Sequence, residues 1–194
     1  MFEYFTLNVR HRMKSPILIS LLLLAVITVS AQPYKRPATL NPNSGYSNVN
    51  ELAGGFGLGI TSEDYARHFV GFTTTHGYQL NLFGLNVKSN LFGGLGTGIL
   101  VYNGGLLFPL YGDFRFTWNR TKPTPFIFGR SGLLINPDDF DHGTRKFINL
   151  GGGIRLRLNE RFTASFSPGI MVQMGNLVPR DAFIDFKLGL AFKP

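Results

Sequence analysis

Apolar and polar residues alternate along most of this chain, in eight segments of about ten to fifteen residues each. A period of two residues is typical of a β-strand with one apolar face, and no segment shows the 3.6-residue spacing of an amphipathic helix. Turn-forming residues separate the segments, as expected for neighbouring strands joined by short loops. The predicted strands are 51–60, 68–80, 90–102, 107–119, 124–135, 144–158, 161–174 and 182–192.

The alternation assigns each side chain to one of two faces. In the sixth strand Ile154, Leu156 and Leu158 share one face, and Arg155 and Arg157 share the other. The other strands separate in the same way, although glycine on both faces blurs two of the first three. The polar faces together collect the charged residues Asp113, Arg115, Arg130, Arg155, Arg157, Asp185 and Lys187.

Two all-β folds are compatible with this alternation. A soluble sandwich hides its apolar faces between two sheets, and its exposed face would carry many Lys, Glu and Thr residues. Here the polar face consists largely of Gly, Ser, Thr and Asn, which suit a cramped interior. An even number of strands, each long enough to cross a bilayer, is typical of bacterial outer-membrane barrels. We therefore predict an all-β, eight-stranded antiparallel up-and-down transmembrane β-barrel, with a secreted sandwich or lipocalin-like barrel as the alternative.

The N-terminal part of the chain has a different pattern. Basic residues precede the apolar run 17–29, which is followed by small residues at 29–31, and this order is typical of a secretory signal peptide. The run is short for a membrane-spanning helix, so an uncleaved anchor is the weaker alternative. We predict a signal peptide over 1–31, a flexible segment rich in Pro, Asn and Ser over 32–49, and the barrel over 50–194. Met13 is a second candidate start.

The composition limits the kinds of site and the classes of partner that the protein can have. The chain has no cysteine, which excludes a disulfide framework and a thiolate site. Its net charge is +8, and removing residues 1–31 leaves 16 basic and 10 acidic residues, or +6. An exported basic protein is expected to meet phosphates of outer-membrane lipids and lipopolysaccharide rather than nucleic acid.

The positions of aromatic residues support a membrane orientation in which both chain ends lie at the inner side. With both chain ends at the inner side of the membrane, the even-numbered strands end at the inner rim, where aromatic side chains favour the lipid interface. Loops 61–67, 103–106, 136–143 and 175–181 would then face outward, and all are short. The predicted interfacial aromatic residues are Tyr78, Trp118, Phe162 and Phe192.

Four runs carry a resemblance to a known family. They are HGYQLN at 76–81, GGLGTGIL at 93–100, LFPLYGDFRF at 107–116 and PFIF at 125–128. With these runs, residues 51–194 resemble the small outer-membrane β-barrel proteins of Gram-negative bacteria, often labelled porin-family. The resemblance implies an outer-membrane location and recognition by the barrel-assembly machinery during biogenesis, through an aromatic near the C-terminus. Here that aromatic is Phe192, followed by Lys193 and Pro194. The resemblance supplies no catalytic or cofactor-binding residues.

The charged residues of the polar faces would share the barrel interior. An eight-stranded barrel is only wide enough for side chains to fill, and buried ions need partners. We therefore expect the seven charged residues named above to form a network of ion pairs and hydrogen bonds that closes the interior. Placing Arg130 on the inner face forces Phe126 and Phe128 there too. A narrow anion-selective pore is the alternative, because five of the seven charges are basic.

Other motifs have ordinary structural explanations. The glycine-rich runs lack the following helix and lysine of a phosphate-binding loop, so we interpret them as relief of crowding in a curved barrel. Loop 136–143 holds Asp138, Asp139, Asp141 and His142 without a regular calcium-ligand spacing, and we interpret it as a solvated turn. No Ser–His–acid order indicates catalysis. We expect no enzyme activity, cofactor or metal, with a lipid-modifying enzyme as the alternative.

Overall fold

The computed structural model describes residues 44–58, 67–81, 89–118, 123–138, 143–175 and 180–193. Eight strands pair in chain order, each antiparallel to the next, and the last pairs with the first to close a barrel. The predicted all-β, eight-stranded up-and-down architecture is therefore confirmed. Among the described residues no helix is long and apolar enough to cross a membrane. The strands are β1 (Gly45–Gly57), β2 (His68–Asn81), β3 (Ser89–Tyr102), β4 (Gly105–Trp118), β5 (Thr124–Ile135), β6 (Arg145–Arg157), β7 (Phe162–Met174) and β8 (Asp181–Phe192).

The strand register fixes the width of the barrel. Following paired residues once round from Ser47 leads back to β1 at Gly57, so the stagger is ten residues, from 47 to 57. Eight strands tilted by about 35–45° enclose a space that side chains can fill. The residues met on the way are Gly77, Gly94, Asp113, Arg130, Asn149, Met171 and Phe183.

The first strand begins earlier than the sequence indicated. The flexible segment was predicted to reach residue 49, whereas β1 already starts at Gly45 and pairs with β2 from there. The polar pattern was misleading because Asn48 and Asn50 lie on the outer face, so polar residues occupy both faces of this part of β1. The predicted signal peptide, 1–31, and most of the predicted flexible segment lie outside the described residues.

The barrel buries its charges and exposes its aliphatic side chains. Leu95, Phe114, Leu150 and Leu188 are between 60% and 73% exposed, whereas the Asp113, Asp185 and Arg115 side chains are at most 1% exposed. A water-soluble fold has the opposite arrangement, since exposed apolar area in water is unfavourable. The polarity of the two faces is the one found in barrels surrounded by lipid.

Glycines let bulky residues into this narrow interior. A Cβ added to Gly151 would lie 2.3 Å from the Pro168 carbonyl oxygen and 2.6 Å from the Phe128 ring. Such distances cannot be accommodated without moving the backbone of β7. Gly151 is therefore needed for the close approach of β6 to β7 and for the inward position of Phe128.

Candidate functional site in the barrel interior

Four charged side chains from three strands meet in the middle of the barrel. We call Glu51, Asp113, Arg115 and Arg130 the charge cluster. Glu51 lies on β1, Asp113 and Arg115 lie on β4, and Arg130 lies on β5. Because β5 is four strands from β1 in either direction round the ring, the contact between Arg130 and Glu51 joins opposite walls.

The contacts within the charge cluster are dense. Arg115 Nε donates to both Asp113 oxygens at 3.1 Å, and its Nη2 donates to Asp113 at 2.5 Å and to Glu51 Oε2 at 3.2 Å. Arg130 Nε donates to Asp113 Oδ2 at 3.0 Å, and Arg130 Nη2 donates to Glu51. Arg115 Nη1 and Glu51 Oε1 are also 3.2 Å apart but are not aligned for a hydrogen bond, so that contact is purely ionic. Two acids and two bases thus neutralise each other.

Aromatic rings flank the cations of the interior. The Arg130 guanidinium lies 5.2 Å from the Phe128 ring centre and 5.4 Å from that of Tyr111, and Lys187 Nζ lies 4.5 Å from Phe128. Rings at these distances stabilise a cation through their quadrupole. Phe126 and Phe128 are both buried on the inner face of β5, which is the position that Arg130 imposes on them by alternation.

A second ion pair lies beside the charge cluster. Lys187 Nζ contacts Asp185 on the same strand, and Asn149 Nδ2 donates to Asp185 Oδ2 at 2.8 Å. A cavity of about 30 Å³ adjoins this pair, with Thr73, Phe69 and Met171 among its lining. That volume corresponds to about one or two water molecules. Since Asp185 Oδ1 and Thr73 Oγ1 have no hydrogen-bond partner among the described residues, water fits this cavity.

The end of the interior where β2 and β8 begin is filled by apolar side chains. The Phe69, Tyr102 and Phe183 rings lie within 5.9 Å of one another, centre to centre. Gln173 Nε2 donates to the Tyr102 hydroxyl at 2.5 Å. We call the buried group the aromatic layer: Phe69, Leu100, Tyr102, Leu107, Tyr111, Leu134, Phe147, Met171 and Phe183. This layer was not predicted, although the same alternation places Phe183 on the same face of β8 as Asp185.

The seven predicted interior charges do not all meet. Asp113, Arg115 and Arg130 lie in the charge cluster, and Asp185 with Lys187 forms the neighbouring pair. Arg155 lies nearer the barrel end where β5 begins, with its guanidinium 4.6 Å from the Phe126 ring and Nη1 3.3 Å from Thr117 Oγ1.

Arg157 does not join the interior. It is exposed, and its Nε donates to the Asn159 carbonyl. Arg157 is the last residue of β6, where its long side chain is open to the surroundings, so the prediction that it belongs to the interior network is wrong. Glu51 was not among the predicted interior charges, yet it is 1% exposed and bonds two arginines. With Arg157 removed and Glu51 added, the set has four bases and three acids instead of five and two.

The predicted interfacial aromatics occupy the barrel end where β1 begins and β8 ends. Phe162 and Phe192 are paired across β7 and β8, with ring centres 5.3 Å apart. Trp118 packs edge-on against Phe116 at 4.7 Å, and Tyr78 is paired with Tyr46. All four predicted residues are on the outer face of the barrel.

The acidic loop is described only in part. Asp138 is exposed, and its backbone N–H bonds to Asn136 Oδ1, but Asp139, Asp141 and His142 lie outside the described residues. Among the described residues, no group of three or more metal-ligating side chains is suited to hold an ion.

Comparison with known proteins shows the fold and not the detailed role. No protein-family model matches the sequence, and no curated protein matches it. Among solved structures, the chain is similar to Neisserial surface protein A, with a TM-score of 0.53 and 11% identity over 78% of this chain and 99% of the other. The N-terminal β-barrel domain of OprF from Pseudomonas aeruginosa also matches, with a TM-score of 0.41 and 14% identity over 75% and 97% of the two chains. The chain therefore has the fold of the small eight-stranded outer-membrane barrels of Gram-negative bacteria.

Proposed function

We propose that this protein is a non-catalytic outer-membrane β-barrel whose interior is closed to solutes, and that it has a structural or surface-interaction role. The observation that carries the closed interior is the contact of Arg130 on β5 with Glu51 on β1, which crosses the whole width of the barrel. Side chains lining an open pore would be exposed to water, whereas the members of the charge cluster are at most 4% exposed.

The outer face supports a membrane location. Exposed side chains such as Leu150, Ile170 and Leu188 would aggregate in water but are at low free energy in hydrocarbon. The same exposure argues against the secreted lipid-binding barrel, which would keep its apolar residues inside. Lipids and lipopolysaccharide are then the immediate surroundings, and Phe192 is the proposed recognition point for the assembly machinery.

Three basic residues at the inner rim fit this location. Arg157 and Arg161 are exposed near the turn between β6 and β7, and Lys193 follows β8 at the same end. Basic side chains at the edge of the apolar belt are favourable beside lipid phosphates. The structural role proposed for the protein therefore includes contact with anionic headgroups at this rim.

The enzymatic alternative has weaker support. Among the described residues, His76 hydrogen-bonds with the Tyr46 hydroxyl and contacts the Asn48 carboxamide, and neither partner is a carboxylate. A nucleophile–base–acid arrangement needs an acid to orient the base. Mass spectra of membrane lipids from cells with and without the gene would reveal any modification; unchanged lipid masses are expected.

Conductance tests the closed interior. Purified protein reconstituted into a planar bilayer is expected to give no current steps above those of a protein-free bilayer, with a general porin in the same bilayers as positive control. Reproducible anion-selective steps would establish the narrow pore instead. Fractionation followed by heat-modifiable gel mobility tests the location separately: the expected result is a folded, detergent-resistant band in the outer-membrane fraction.

A further inference from the structure

Polar side chains form a patch on the outer face of the first three strands. We call Tyr46, Asn48, Asn50, Thr74, His76 and Thr97 the outer polar patch. Alternation puts them outside, in step with Leu52 and Phe72, which are 62% and 47% exposed. Strand pairing makes them contiguous, because Asn48 is opposite His76, and Thr74 is opposite both Asn50 and Thr97.

Hydrogen bonds hold the patch in one arrangement. Asn48 Nδ2 donates to Thr74 Oγ1 at 3.1 Å, and Asn50 Nδ2 donates to Asn48 Oδ1 at 2.6 Å. The Tyr46 hydroxyl is 2.5 Å from His76 Nδ1. Asn48 and Thr74 are therefore buried beneath their neighbours, while Tyr46, Asn50 and His76 stay partly exposed. The patch is an ordered surface rather than a set of independent polar residues.

The rest of the outer wall is different. On β4 to β8, Ser131 and Lys146 are the polar residues among the described outward positions; the others are apolar or glycine. Polar groups facing hydrocarbon cost free energy, so the members of the patch that stay partly exposed call for an interacting group. Leu95, which is 73% exposed, and Leu52 border the patch and extend the apolar wall on its two sides.

The depth of the patch in the membrane indicates which chemical group interacts with it. Asn48 is paired with Phe192, and Tyr46 is paired with Tyr78, so the patch begins at the inner aromatic rim. From Tyr46 to Asn50 it extends four residues along β1, or about 13 Å at ~3.3 Å per residue. Aromatic rims lie at headgroup level, and the glycerol and ester groups of lipids lie just beneath.

The chemistry of the exposed groups agrees with this depth. Hydroxyl, carboxamide and imidazole groups supply neutral N–H and O–H donors, and the patch contains no carboxylate. Ester carbonyl and phosphate oxygens accept hydrogen bonds but donate none. We infer that the outer polar patch binds the ester and phosphate oxygens of one glycerophospholipid of the inner leaflet, whose acyl chains lie over Leu52 and Leu95. This inference rests on the proposed membrane location.

Native mass spectrometry in a mild detergent tests the inference. The probe is phosphatidylethanolamine, titrated into the full protein and into an Asn50→Leu/Thr97→Val variant. The variant keeps the bonds between Tyr46 and His76 and between Asn48 and Thr74. The control is Ser131→Leu, because Ser131 is an exposed outward polar residue on β5, away from the patch. We expect the double variant to retain its first lipid at least about tenfold more weakly, and the control to match the unaltered protein.

Equal lipid retention by the double variant and the control would overturn the inference. A protein dimer that forms with the unaltered protein and the control but not with the double variant would also overturn it, because a second copy of the chain would then occupy the patch. Displacement of the lipid by inorganic phosphate alone would also overturn it. If the double variant shows no heat-modifiable band, Asn50→Val is measured in its place with the same criteria. Absence of the protein from the outer-membrane fraction would instead refute the proposed function, so the two failures are distinguishable.

Discussion

The charge cluster and the aromatic layer fill neighbouring parts of the same interior by different means. Both are almost fully buried, but Glu51, Asp113, Arg115 and Arg130 are held by directional ion pairs, whereas Phe69 and Phe183 are held mainly by packing. Removing one ion leaves its partner charged and out of water, while trimming an apolar side chain loses its own contacts and leaves a cavity but no unpaired charge. The charge cluster is therefore expected to behave as an all-or-none unit, whereas the aromatic layer should lose stability in proportion to the atoms removed.

The largest effect is expected in the charge cluster. Glu51→Gln removes the acid that bonds both arginines, so the two guanidinium groups would share Asp113 alone. Breaking a buried pair by removing one partner costs ~3–5 kcal/mol. Unfolding in urea from lipid vesicles measures this loss, with fluorescence of Trp118, the single tryptophan of the chain, as the signal.

A double variant sharpens that result. Glu51→Gln combined with Arg130→Gln keeps the charge cluster neutral and leaves Asp113 paired with Arg115. Its destabilisation should be smaller than the sum of the two single variants by at least about 1 kcal/mol, because neighbours in one network are not additive. Additive losses would show that the four side chains do not act as a unit.

A medium effect is expected at the polar edge of the aromatic layer. Tyr102→Phe keeps the ring against Phe69 and Phe183 but leaves Gln173 Nε2 without its acceptor. A buried donor left unpaired costs ~1–3 kcal/mol, and we expect a loss of about 1–2 kcal/mol in the same unfolding experiment. Adding Gln173→Leu should recover most of it. A double variant no more stable than Tyr102→Phe would contradict this explanation.

The smallest effect is expected at Arg157. This exposed side chain donates to the Asn159 carbonyl outside both interior groups. Arg157→Gln should change the free energy of unfolding by less than about 0.5 kcal/mol, as is usual for surface positions. A loss comparable to that of Glu51→Gln would return Arg157 to the interior network.

The strands were predictable from the sequence because the two-residue period is local. Seven of the eight predicted strands start within two residues of the observed ones, and the inward position of Phe126 and Phe128 followed from Arg130 alone. The first strand was the exception. Asn48 and Asn50 put polar side chains on the outer face there, so alternation of polarity no longer marked the strand.

Alternation along the chain determines which face a side chain lies on, because successive residues of a strand point in opposite directions. It does not determine which side chains meet inside. The contact of Glu51 with Arg130 joins residues 79 positions apart, and it depends on the ten-residue stagger and on closure of β8 onto β1. Those features arise only when all eight strands are paired, since the stagger sums over the whole ring. The sequence therefore specified a two-faced sheet of strands, and only the closed barrel made charges on opposite walls into a single cluster.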